Sequence, residues 1–505
     1  MKNTYLLLIS FFLCSIMHGQ IVDLKKFSKG KFYWSDHIKD ENNNIKGYLV
    51  LYESDKMAKE TYQLEYVVLD ENLTKVTNGF INEMKFESWL MKSEKISVSV
   101  SVYKDNLLLR LADSYEGEEF FKRYRLLSIK NNKISEPFIY NKGKMILDPV
   151  IDRKLSNISD NHSEDMFFFD EVGLVANSTM LDKSENLTKS YLAHFDENMK
   201  EVWRFEYGDI SDKKIKDLHY LKSDKDVIVL FNHAFKNKTM IDNVNEVSAL
   251  FLDSKSGALR KEFAFPDLDK FSYRVVDCNI TADKIYLAGN YSKSDKTGFI
   301  DDDDNTGLFN FVFNKANGEL IKSTYFNWES LLPKLDINKK GYVKKEGNLF
   351  IHEMLFTSTG KLIVAAEAFT QSPITTNNIY FLEFNDKFEI EQLFEVQKFR
   401  NKFPKTIGHS SQIKKYGLFD FIDYQSLGDD EYLFFVNDSE KNSVNGDKRT
   451  LFGIISYSDG KFKRQTLELK ESDNTKSIYN AKKGYLMIFE SSGKSKELRL
   501  EKINY

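Results

Sequence analysis

Residues 299–309 read FIDDDDNTGLF, the one sharply acidic cluster in the chain. Crowded carboxylates repel one another unless a cation or water screens them. The chemistry they suggest is calcium binding. Calcium takes six to eight oxygens, and a calcium loop alternates its acids and puts glycine in the sixth place. Counting from Asp302, the first, third and fifth places hold Asp302, Asp304 and Thr306, and Gly307 is sixth. The twelfth place should hold a bidentate Glu and instead holds Phe313. The competing reading is a solvated acidic loop joining two strands. The stretch KDENNNIKG at 39–47 is a weaker candidate of the same kind.

Other chemical signals are sparse. His37, His162, His194, His219, His233, His352 and His409 form no short metal-ligand pair. His352 and Glu353, in FIHEMLF, lack the second His of a zinc-protease helix and fall on a strand, where neighbours point to opposite sides. Packing and pairing explain them better than catalysis. Cys278, between Asp277 and Asn279, has no basic neighbour in sequence, so a buried inert thiol is expected. No G-x-S-x-G elbow, phosphate-binding glycine loop or cysteine metal cluster occurs. The sequence therefore assigns no catalytic residue and no organic cofactor, and calcium at Asp302, Asp304 and Thr306 is the only metal expectation.

The ends and the composition narrow the classes. Lys2 followed by an apolar run at 4–16 matches a secretory signal and is too short to span a bilayer. Residues 1–20 are read as the signal peptide, with cleavage near Gly19 or Gln20. Export to the periplasm or the cell surface is expected, with no transmembrane helix in the mature chain. Cys278 is then the only cysteine left, so disulfides do not stabilise the fold. About 485 residues remain, enough to bury a large core. The formal net charge is −4, which argues against a general nucleic-acid binder and a polybasic membrane protein. An aromatic share of 14% with only six prolines suits strands.

Those strands come in a repeated unit. LDENLTKV (69–76), SIKNNKISEPF (128–138), FDENMKEV (195–202), LDSKSGALRKEF (252–263), FNKANGELIKSTYF (313–326), FNDKFEIEQLF (384–394) and SYSDGKFKRQTL (456–467) share one design. Each ends an alternating strand, turns on Asx or Gly, and begins another. An apolar strand precedes each: GYLVLYES (47–54), NLLLRLAD (106–113), GLVANSTM (173–180), DVIVLFNH (226–233), KIYLAGNY (284–291), KLIVAAEA (361–368) and EYLFFVND (431–438), with GYLMIFES (484–491) as the eighth. The unit is thus four antiparallel strands, A to D, with tight A–B and C–D turns. Its B strands are apolar on both faces, so each sheet must be covered twice. Repetition of such a unit reads as a β-propeller of four-stranded blades. The count is eight, with seven the alternative and a pair of β-sandwiches the plainer one. The eighth unit has room for three strands, and IVDLKKFS (21–28) is expected to supply its fourth and close the fold. Residues 21–505 form one propeller domain on this reading.

The C–D turn is similar to that of several propeller families. In quinoprotein-type dehydrogenases a docking tryptophan follows it, and only DENMKEVW, with Trp203, comes near. Sialidase-type S-x-D-x-G-x-x-W turns, Kelch Gly-Gly pairs and WD repeats are absent. The signal, the Asn/Lys/Phe richness and the blade pattern resemble the uncharacterised secreted propeller-like proteins of Bacteroidota. That resemblance spans the chain and implies location and fold, but no activity.

Antiparallel order puts the A–B and C–D turns on one face and the B–C and D–A connections on the other. The second set is expected to be long and irregular: 181–189, 234–244, 291–307, 369–376 and 439–448, with 141–164, 327–346 and 397–416. Function concentrates on such loops. The reading is a secreted or periplasmic binding module for a protein or glycan partner at the cell envelope, without catalysis. Phe235, Tyr291 and Phe369 are the expected contact aromatics. The alternative is a glycan-directed hydrolase with a carboxylate pair on the loop-rich face. His219, Asp277, Asp420 and Asp423, on A strands, line a channel or bond between blades.

Overall fold

A computed structural model of the chain describes residues 21–40, 44–58, 61–84, 95–115, 118–141, 144–147, 166–170, 172–182, 187–196, 198–208, 215–235, 244–268, 270–293, 305–371, 373–403, 413–414, 417–428, 430–441, 448–468, 475–492 and 495–503. Alternating β-branched and aromatic residues make strands of nearly all of them. The proposed signal segment, 1–20, lies outside the described residues.

Two compact units result: Met1–Pro137 with Asp423–Leu433 and Lys470–Tyr505, and Phe138–Ile422 with Phe434–Leu469. In the first, blade 1 runs Lys31–Lys39, Ile45–Ala58, Thr61–Asp70, Lys75–Met84. Blade 2 runs Lys95–Tyr103, Asn106–Tyr115, Glu118–Ser128 and the short Lys133–Ile134. Blade 8 runs Thr475–Asn480, Tyr485–Ser492, Ser495–Lys502. Its fourth strand is Ile21–Asp23, antiparallel to the third, with Val22 opposite Leu498. Leu24 is buried just beyond it, and its carbonyl accepts the Tyr52 hydroxyl at 2.7 Å.

In the second unit, blade 3 runs Met166–Asp170, Gly173–Asp182, Leu187–Phe195, Glu201–Tyr207. Blade 4 runs Ile215–Ser223, Val227–Phe235, Val244–Asp253, Leu259–Ala264, and blade 5 Phe271–Ile280, Lys284–Lys293, Asn305–Asn314, Leu320–Asn327. Blade 6 runs Gly347–Phe356, Leu362–Gln371, Ile374–Phe384, Ile390–Val396. One more sheet, blade 7, has residues in both units and runs Phe421–Gly428, Glu431–Lys441, Lys448–Ser458, Lys461–Glu468. Eight antiparallel sheets, each built on four strands of this design, make the fold a β-propeller.

The C–D turns explain the repeat. In three C–D turns of one length an Asx side chain accepts two backbone N–H groups, Asp70 from Asn72 and Thr74, Asp196 from Asn198 and Lys200, Asn385 from Lys387 and Glu389, and in a longer one Asp253 accepts from Lys255 and Ser256. The fourth turn residue is left-handed in each of the first three, Leu73, Met199 and Phe388 at φ near +60°. In turns one residue longer, Gly257 and Gly318 take the left-handed conformation in the fifth place, at φ +70° and +72°.

Within the second unit, D strands reach the C–D turn of the next blade. The Trp203 indole donates to the Ser254 carbonyl at 3.0 Å. Arg260 donates to the Lys315 carbonyl, and Lys322 to the Asp386 carbonyl at 2.8 Å. Trp203 therefore docks as the quinoprotein-like turn suggests, and charged side chains take the part in later blades. In the first unit Tyr66 and Asn132 bond at 3.0 Å between blades 1 and 2.

Gly257→Ala should lower stability by about 1–3 kcal/mol, because its Cβ would stand 2.4 Å from the Trp203 ring and φ is positive. Chemical denaturation checks it. An unchanged midpoint would mean that the tryptophan is not seated on this turn.

Candidate functional site

Blade 6 carries one fully buried acid in an apolar strand. Glu367 lies on strand B among Ala365, Ala366 and Ala368. A carboxylate with no water needs hydrogen bonds or countercharge. It accepts the backbone N–H groups of Asp420 at 3.1 Å and Phe421 at 3.0 Å, and His352 Nε2 stands 3.2 Å away. Lys398 Nζ lies 3.7 Å from its Oε1 and pairs closely with Asp420. Asp420 also accepts Thr376 Oγ1 at 2.7 Å and Asn401 Nδ2 at 2.8 Å. Burial holds the Asp420 carboxyl above its ordinary range; Lys398 opposes that and Glu367 adds to it. Burial likewise keeps His352 below the ordinary imidazole value, against the pull of Glu367.

This cluster fastens the D–A connection that leaves blade 6. Asn401–Lys402 pairs with strand C, and the Phe403 N–H donates to the Ile374 carbonyl at 2.9 Å. The returning stretch stacks Phe419 on Phe350, centroids 4.6 Å apart, in a cluster with Phe369, Ile374 and Ile413. Between the outgoing and returning stretches lies a cavity of about 570 Å³. Phe399, Arg400, Lys402, Phe403, Asp420 and Asn437 contribute to its wall. Phe399 is 40% exposed. Arg400 is held by Asn377 Oδ1 at 2.7 Å and the Lys345 carbonyl at 2.6 Å.

The chain matches the Family of unknown function (DUF6770) over residues 1–376 and 369–504. It belongs to that family. This agrees with the likeness to uncharacterised propeller-like proteins. No curated protein matches it. Among solved structures it is similar to the Dos1 propeller, with 8% identity and a TM-score of 0.45 over 97% of this chain and 95% of that one. It is also similar to the quinohemoprotein alcohol dehydrogenase ADHIIG from Pseudomonas putida HK5, with 9% identity and a TM-score of 0.41 over 96% and 78%. The polysaccharide lyase Uly1 is similar at 10% identity, TM-score 0.37, over 93% and 90%.

Of the sequence-expected site residues, Asp302 and Asp304 lie outside the described residues, and Thr306 is the second residue of strand C of blade 5. Gly307 sits in that strand, its missing Cβ leaving room for the Phe326 carbonyl. Residues 369–376 were expected to loop out. They form a tight hairpin with Gln371 opposite Ile374, because main-chain pairing continues through polar residues. Tyr291 and Phe369 were expected to be exposed and are buried. The Tyr291 hydroxyl bonds Asn327, and Phe369 lies in the cluster with Phe419. Phe399 and Tyr342 are the exposed aromatics among the described residues of the expected connectors. The Phe235 side chain lies outside the described residues.

Of the A-strand polar groups, Asp423 bonds to another blade and His219 bonds within its own. Asp423 pairs with Lys39 at 3.2 Å in the first unit. Asp277 is half-buried, and desolvation pushes its carboxyl up to about 6, which Lys222 opposes. Burial also raises the Cys278 thiol, keeping it protonated and inert. His219 Nε2 lies 3.1 Å from Asp217 Oδ2, with its ring 5.7 Å from that of His233. Burial, with His219 adding, lowers His233 to about 4.

Two outcomes follow. Glu367→Ala should cost about 3–5 kcal/mol, since it breaks a buried charge cluster and leaves two backbone donors without an acceptor. Glu367→Gln should cost less, and equal losses in urea would show that the charge is immaterial. His233 is neutral when folded, so below about pH 6.5 the unfolded chain binds a proton that the folded chain refuses. Stability is therefore full above that pH and declines as pH falls towards 4. His233→Gln should remove about 1–2 kcal/mol of the loss between pH 7 and 5. Parallel pH profiles would refute it.

Proposed function

We propose that the chain is an exported binding protein of the cell envelope that engages a protein or glycan partner through the loop-rich face of blade 6 and catalyses no reaction. The observation that carries this is the cavity beside the outgoing connector. Its wall offers an exposed phenyl ring and two cations on a stretch whose backbone is held by pairing of Asn401–Lys402 with strand C. Aromatic and Arg side chains on a preorganised surface are the usual anchors of recognition.

The hydrolase alternative needs two carboxylates facing the substrate, about 5–9.5 Å apart. Asp420 is the one acid in this wall, and it is already bonded to Lys398, Thr376 and Asn401. Glu367 is fully buried and spends its oxygens on backbone N–H groups. These commitments favour binding. Export rests on Lys2 and the apolar run at 4–16.

Retention on washed envelope fractions tests the reading. Phe399→Ala combined with Lys402→Glu should reduce retention about tenfold with an unchanged melting temperature. Equal retention of variant and wild type would remove this face from the function. Fractionation of cells should place the mature chain outside the cytoplasm, and a cytoplasmic pool of uncleaved chain would defeat the export proposal.

A further inference from the structure

Resting on that binding reading, the cavity chemistry identifies a class of ligand. Its acid, Asp420, is matched by the buried ammonium of Lys398. The remaining charges in the wall, Arg400 and Lys402, are both positive and both exposed. A ligand that leaves these cations unmatched gains nothing from them, so a neutral ligand is disfavoured. Phe399 lies beside them, 40% exposed, and offers a flat apolar surface. The ligand therefore joins negative charge to a compact apolar face.

The backbone decides how that charge is met. The N–H groups of Phe403, Gly417, Leu418, Asp420 and Asn437 all donate to acceptors within the chain. No run of these amides is left to cradle a peptide terminus, as a backbone nest would. Recognition falls to side chains. Arg400 is oriented beforehand by Asn377 and the Lys345 carbonyl, which lowers the entropy cost of using it. The exposed Asn437 adds an amide suited to hydroxyl groups. A sugar ring carrying a carboxylate or sulfate matches each part: its C–H face for Phe399, its anion for Arg400 and Lys402, its hydroxyls for Asn437.

We propose that this cavity binds an acidic polysaccharide, one sugar seated against Phe399 with its anionic group between Arg400 and Lys402. The near-neutral charge of the whole chain fits a local anion site better than a nucleic-acid surface.

Affinity electrophoresis of the full chain tests this, with polygalacturonate, chondroitin sulfate, dextran and a thymidine oligonucleotide as separate probes. Retardation by polygalacturonate alone assigns a carboxylate; retardation by chondroitin sulfate as well admits sulfate. Dextran and the oligonucleotide should not retard the chain. Lys402→Glu should weaken retardation about tenfold and Phe399→Ala about fivefold. Lys255→Glu, the same charge change in the C–D turn of blade 4, should leave it unaltered. Retardation by neither acidic polymer overturns the proposal, as does equal retardation by dextran, tighter binding of the oligonucleotide, or indifference to Lys402→Glu. If the acidic polymers fail while envelope retention still depends on Phe399 and Lys402, the ligand class falls and the binding face stands. If envelope retention is indifferent too, both fall.

Discussion

A sheet that is apolar on both faces cannot stand alone, and everything else in this fold follows from covering it. Val227 to Leu230 on blade 4 and Ile363 to Ala366 on blade 6 are consecutive residues with no solvent exposure. In a strand, consecutive side chains point to opposite sides. Both faces are therefore buried, and each blade needs a neighbour on either side. The shared turn chemistry makes such neighbours: one Asx or Gly turn, used repeatedly, keeps each sheet at four strands and presents its carbonyls to the D strand beside it.

Burial on both faces leaves little room for polar groups inside, so those present are paired. In the first unit, Arg123 bonds Glu83 and Asp113 at 2.5 Å, and Arg125 shares Glu83, all four buried. In the second unit the same need at Glu367 has a different consequence. Its partners are the backbone of a connector, so satisfying the charge sets that connector's course. The cavity owes its shape to this. The buried ion cluster and the cavity beside it are thus one arrangement.

The conflict between local pattern and function is plain in the aromatic residues. Phenylalanine in an alternating strand is packed, as Phe369 and Phe350 are. Phe399 lies after strand D, where packing no longer demands it, and it is exposed. Single exposed apolar side chains are common on protein surfaces; what sets Phe399 apart is its place in a cavity wall beside Arg400 and Lys402.

The eight B strands, the seven Asx/Gly hairpins and the N-terminal strand of blade 8 were legible in the sequence, because each is written in local terms: alternation, turn chemistry, and a missing fourth strand. Trp203 stood out as the one residue near a quinoprotein-type turn, and its seat on the Ser254 carbonyl came from the structure. The site was not. Glu367 reads as one acid in an apolar strand, His352 as a stray histidine, and Arg400 and Lys402 as part of a basic connector. Only the tertiary structure brings them together, because Glu367 and Asp420 are 53 residues apart in the chain and meet through backbone hydrogen bonds that carry no side-chain signature.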